Sequence, residues 1–147
     1  MAVRRSANAT WRGDLFDGRG TVSSATSSRF NDLPITWKAR TAEPEGLTSP
    51  EELLAAAHAA CFSMALSNNL AKAGFTADQL DVNSTITFDK LDAGWTVVSS
   101  KLTVHGRVPG ADQGAFQEAA EAAKDGCPIS RALKGNVELS VEATLDA

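Results

Sequence analysis

Leu47-Thr48-Ser49-Pro50-Glu51-Glu52-Leu53-Leu54-Ala55-Ala56-Ala57-His58-Ala59-Ala60-Cys61-Phe62-Ser63-Met64-Ala65-Leu66 is the stretch whose reading decides the fold. It opens with a compact helix-start signal: Ser49 as N-cap, Pro50 at the first helical position, and Glu52 three residues after the cap, the spacing of a capping box. The spacing predicts a helix that runs to about Lys72, with Gly74 well placed as its C-terminal stop. Leu53, Ala57, Ala60, Cys61, Met64, Ala65 and Leu70 supply much of its apolar surface, so most of this helix is expected in an interior.

On the N-terminal side, the first 48 residues read as a meander of short strands. Ala9-Thr10-Trp11-Arg12-Gly13, Gly20-Thr21-Val22-Ser23 and Ile35-Thr36-Trp37-Lys38 favour strand, and Asp17-Gly18 and Asn31-Asp32 mark turns between them. On the C-terminal side the period changes to two. From Leu80 to Val108, Val82, Ser84, Ile86 and Phe88 fall on one face, and Asp92-Ala93-Gly94 turns the chain into a second long strand. A second helix fits Gln113 to Lys124, with Phe116, Ala119, Ala120 and Ala123 on one side, and Asp125-Gly126 ends it. Cys127-Pro128 begins a short third helix, and Val137 to Ala143 alternates as a half-buried strand. The order of strands, helix, hairpin, two helices and strand predicts an α+β fold, one domain over residues 1–147 with neither internal repeat nor linker.

Composition narrows the function classes. At 147 residues the chain is long enough to bury a sizeable core without a disulfide, and 43% hydrophobic with 22% charged residues is ordinary for a globular protein. A net charge of −4 argues against a nucleic-acid partner, because phosphate binding needs a basic surface; Arg4-Arg5 and Lys38-Ala39-Arg40 are too short to change that. No stretch reaches the ~20 apolar residues of a membrane span, and Met1 to Ser6 lacks the apolar core of a signal peptide. The expected location is the cytoplasm, where thiols are kept reduced. There, a pair of cysteines is more often catalytic, redox-sensing or metal-binding than structural.

The two cysteines sit in different settings. Cys61, deep in an apolar helix, reads either as a small buried hydrophobe or as a nucleophile. Only a cationic neighbour would favour the thiolate, and within the helix His58, three residues earlier on the same face, could supply one. The other reading of His58 is a hydrogen-bonded core histidine. Cys127 precedes Pro128 and so falls at a helix N-cap, where unpaired N–H groups favour negative charge; its plainer reading is an incidental cap. His58, Cys61, His105 and Cys127 lack the short paired spacings of a zinc site, and no cofactor is expected. Gly-rich phosphate loops and a Gly-x-Ser-x-Gly elbow are absent from the sequence.

Taken together, these residues carry a resemblance. Trp11-Arg12-Gly13, Arg40 closing a strand, Pro50-Glu51-Glu52, His58-Ala59-Ala60-Cys61-Phe62-Ser63-Met64, Asp92-Ala93-Gly94 and Gly126-Cys127-Pro128-Ile129-Ser130 resemble the osmotically inducible protein C (OsmC) family, related to the organic hydroperoxide resistance proteins. The likeness covers nearly the whole chain. It implies a thiol-dependent peroxidase acting on organic and, less efficiently, inorganic hydroperoxides. By position in the motifs, Cys61 resembles the peroxidatic cysteine and Cys127 the resolving one, Arg40 the cation beside the thiolate, and Glu51 the carboxylate that orients it. The resemblance further implies a Cys61–Cys127 disulfide in the cycle, an external dithiol reductant of lipoyl type, and an intertwined homodimer with its sites at the subunit interface. A long helix with Ala, Leu and Met on so many sides agrees with a dimer. Two other functions fit the residues: a thiol hydrolase or transferase using His58 as base for Cys61, and a non-catalytic redox sensor.

Overall fold

The computed structural model describes residues 1–146 and divides into two compact units, one ending at Leu53 and the other starting at Leu54. In the first unit β1 (Ala7–Arg12), β2 (Arg19–Ser24) and β3 (Leu33–Ile35) form an antiparallel sheet in the order β1-β2-β3, the meander expected from the sequence. The strand expected over residues 35–38 ends at Ile35. Trp37–Thr41 is instead a short helix, α1, because extended Thr36 caps it by accepting a hydrogen bond from Ala39 N–H at 3.1 Å. Arg40 therefore sits in a helix and does not close a strand.

α2 (Pro50–Lys72) begins at the end of this unit and continues into the second. Its cap is the one read from the sequence, with Ser49 Oγ accepting from Glu52 N–H at 3.1 Å. The capping box is only half made, since the Glu52 carboxylate accepts from the Thr48 hydroxyl at 2.8 Å. The other end closes as a Schellman turn: Phe75 N–H bonds Leu70 C=O at 2.9 Å and Gly74 N–H bonds Ala71 C=O at 3.0 Å. Gly74 takes φ +89°, a left-handed conformation that costs glycine nothing.

In the second unit β4 (Gln79–Leu91), β5 (Gly94–Arg107) and β6 (Glu138–Leu145) form a sheet in the order β4-β5-β6, antiparallel between the first two and parallel between the last. The parallel step needs a crossover, which α3 (Gln113–Gly126) and α4 (Pro128–Leu133) provide. α3 buries the four residues read from its periodicity, Phe116, Ala119, Ala120 and Ala123. It lies close to β5 because position 106 is glycine: a Cβ there would fall 2.4 Å from the Phe116 ring. Leu102 and Val104 of β5 join Phe62, Leu66, Leu70 and Phe116 in the core, each worth roughly 1.5–3 kcal/mol of transfer free energy.

Only one stripe of α2 is buried in this core. His58, Phe62, Leu66 and Leu70 follow one another at four-residue steps and are fully covered, whereas Met64 is 70% exposed and Ala57 and Ala60 are exposed. The expectation that most of the helix lies in an interior does not hold within one chain: its small side chains spread around the cylinder, and the core covers a single side.

Candidate active site

α4 begins where the sequence places it, and its first turn gathers both thiols. Cys127, extended at φ −64° and ψ 139°, closes α3 and caps α4. Its Sγ accepts from Ser130 N–H at 3.3 Å and lies 3.1 Å from Ser130 Oγ. One residue earlier in the same turn, Ile129 N–H points at Cys61 Sγ at 3.5 Å. Pro128 at the first helical position explains both contacts, because the next two N–H groups have no partner within the helix and are available to sulfur. Both cysteines are free thiols; Cys127 is fully buried and Cys61 partly so.

Burial pushes the Cys61 thiol above its ordinary value, the Ile129 N–H pulls it down, and the neighbouring Cys127 sulfur pushes it up again. Within the second unit, therefore, the balance of these effects is upward. Cys61 borders a cavity of about 650 Å³ lined by Ala57, Ala60, Met64, Ala65, Pro128 and neighbours on α2 and α3. Phe62, next to it in sequence, points the other way and is wholly in the core.

His58 does not pair with Cys61. It is fully buried, with Nδ1 2.6 Å from Ser100 Oγ and Nε2 2.8 Å from Ser130 Oγ, and burial lowers its pKa from the usual histidine value. It is the hydrogen-bonded core histidine, one of the two readings open from sequence. Ser100 and Ser130 escaped the sequence reading as partners, although Ser84, alternating with apolar residues on the inward face of β4, signalled polar company inside. Ser84 Oγ lies 3.2 Å from Ser100 Oγ.

In the first unit, Arg40 and Glu51 come together as a side-on pair. Arg40 Nε donates to both carboxylate oxygens at 3.0 and 3.2 Å, and Nη2 donates to Oε1 at 2.8 Å. Glu51 is 8% exposed, and the guanidinium carbon lies 5.8 Å from the centre of the Trp37 ring. Arg40 also borders an apolar cavity of about 280 Å³ with Trp11, Leu15, Ile35, Trp37 and Pro50. The four residues singled out from sequence thus form two local clusters, Arg40 with Glu51 and Cys61 with Cys127.

The family model described as "OsmC-like protein" matches residues 42–142. The chain is 41% identical to Peroxiredoxin OsmC of Escherichia coli (strain K12), over 97% of this chain and 98% of that protein. It is 30% identical to the organic hydroperoxide resistance protein OhrB of Bacillus subtilis (strain 168), over 76% of this chain and 80% of that one. The crystal structure of Bacillus subtilis OhrB superimposes with a TM-score of 0.74, covering 95% of this chain and 98% of the other at 28% identity.

Proposed function

Because this chain belongs to the OsmC-like protein family, we propose that it is a thiol-dependent peroxidase that reduces organic hydroperoxides, and hydrogen peroxide less well, in oxidative or osmotic stress defence. The names of its relatives, a peroxiredoxin and an organic hydroperoxide resistance protein, support the substrate class. One observation carries the reading: adjacent N–H groups of a single turn, those of Ile129 and Ser130, contact the sulfurs of Cys61 and Cys127. Two thiols held on one turn are arranged for exchange with each other.

In the cycle, the Cys61 thiolate attacks the terminal oxygen of the hydroperoxide. The O–O bond breaks, the sulfur becomes a sulfenic acid, and the alkoxide takes a proton to leave as an alcohol. The Cys127 sulfur then displaces hydroxide from the sulfenic acid, forming a disulfide and water. An external dithiol of lipoyl type reopens the bridge by thiol–disulfide exchange and is itself oxidised to a disulfide. Arg40, oriented by Glu51, supplies the positive charge that Cys61 lacks locally and stabilises the charge developing on the peroxide oxygens. No cofactor takes part. The hydrolase alternative finds no support, because Ser100 and Ser130 hydroxyls occupy both ring nitrogens of His58.

In this reading residues 1–147 act as one OsmC-like domain in the cytoplasm, where reductants can return both sulfurs to thiols. No helix among the described residues is long and apolar enough to cross a membrane. The open face of α2, with Met64 70% exposed, is covered by a second copy in a homodimer that brings the sites to the subunit interface.

The purified protein should consume cumene hydroperoxide steadily when dihydrolipoamide is present. Cys61→Ser should consume none, and Cys127→Ser should stop after one equivalent. Absence of steady consumption, or ester turnover that survives Cys127→Ser, would contradict the proposal.

A further inference from the structure

A buried chain of hydrogen bonds leads away from Cys127 and has no part in the cycle as described. It runs from Cys127 Sγ to Ser130 Oγ at 3.1 Å, on to His58 Nε2 at 2.8 Å, then from Nδ1 to Ser100 Oγ at 2.6 Å and to Ser84 Oγ at 3.2 Å. His58, Ser100, Ser130 and Cys127 are all 0% exposed. These groups come from α2, β4, β5 and the start of α4.

One proton count is consistent along the whole chain. The Cys127 S–H donates to Ser130 Oγ, so the single hydroxyl proton of Ser130 is left for His58. That makes Nε2 the acceptor and places the imidazole proton on Nδ1, where it donates to Ser100, whose own proton goes to Ser84. With this assignment the unprotonated ring nitrogen of His58 faces the Cys127 thiol through a single hydroxyl.

We infer that Ser130 and His58 form a proton relay serving the resolving step, with Ser130 touching the reacting thiol and His58 acting through it as a positioning residue and proton acceptor. This rests on the peroxidase reading. As Cys127 attacks the Cys61 sulfenic sulfur, its S–H bond breaks; the proton passes to Ser130 Oγ while the Ser130 proton moves to His58 Nε2. The S–S bond forms, the S–O bond breaks, and the departing hydroxide takes a proton from solvent to become water. When the dithiol later reduces the bridge, Cys127 leaves as a thiolate and recovers the proton from His58 along the same path. Burial, which keeps His58 neutral at rest, gives it a lone pair for the forward transfer and favours the return. A Cys127 thiol enclosed in protein has no solvent base, and the relay provides one.

The test follows a single turnover with cumene hydroperoxide, trapping sulfenic acid with dimedone and measuring disulfide by quenched mass spectrometry. In Ser130→Ala the ratio of the rate of sulfenic acid formation to that of disulfide formation should rise at least about a hundredfold, the low side of what positioned acid–base groups contribute. Ser130→Thr, which keeps the hydroxyl, should restore most of the rate. His58→Gln can hold both hydroxyls but cannot take the proton, and should show the same slow resolution. Disulfide formation in the wild type should carry a solvent deuterium isotope effect that Ser130→Ala lacks, a difference that loss of packing alone would not produce. Disulfide formation in Ser130→Ala or His58→Gln as fast as in the wild type would overturn the relay. If wild-type protein forms no sulfenic acid at all, the peroxidase reading has failed instead.

Discussion

Arg40 holds Glu51 by Nε and Nη2 together, a two-point grip that a lysine ammonium cannot reproduce. The claim about Arg40 is electrostatic: burial raises the Cys61 thiol, so a working thiolate needs a cation to bring it down. Arg40→Ala should move the midpoint of the pH profile for Cys61 alkylation upward and slow its oxidation at neutral pH. Each unit of that shift is a tenfold smaller thiolate fraction, or about 1.4 kcal/mol. Arg40→Lys should fall between the two, and an unchanged alkylation profile in Arg40→Ala would refute the assignment. At this scale the sequence was partly legible. Cys127 could be placed at a helix cap because Pro128 fixes the first turn, and the structure has it there. His58 could not be resolved between base and core residue. That choice depends on Ser100, distant in sequence, and on Ser130, whose hydroxyl binds the histidine while its backbone binds Cys127.

Among the elements, α2 sets the organisation, and its composition was readable while its burial was not. Cap, start and stop followed from Ser49, Pro50 and Gly74, whose effects are local. Which stripe turns inward depends on what β5 and α3 present to it, and that is a tertiary matter: Phe62, Leu66 and Leu70 win the core, and Met64 is left out. α1 was missed for a comparable reason. Trp37 and its neighbours favour a strand by type, but one hydrogen bond to the Thr36 side chain starts a helix. The open face of α2 leads to a prediction of its own. Met64→Glu would place a charge on the surface assigned to a second copy, so sedimentation of the variant should shift from dimer toward monomer. A wild-type protein that sediments as a monomer would remove the dimer from the account.

For the whole molecule, the candidate residues divide between a side-on Arg–Glu pair in the first unit and two thiols contacted by one helical turn in the second. The α+β order was legible because each segment changes period where the chain changes element: two for the hairpin, three to four for α3, two again for β6. The parallel pairing of β6 with β5 was not, since alternation in a strand says nothing of its neighbour's direction. Function came from the joint pattern of motifs, because neither cysteine's local environment alone distinguishes the attacking thiol from the resolving one. The central claim is that these two sulfurs form one redox couple. It is tested most directly by titrating the reduced protein with cumene hydroperoxide and mapping its peptides by mass spectrometry without reduction. The account predicts a Cys61–Cys127 linked peptide that accumulates to completion at one equivalent of peroxide; two cysteines that remain separately alkylatable after that equivalent would contradict it.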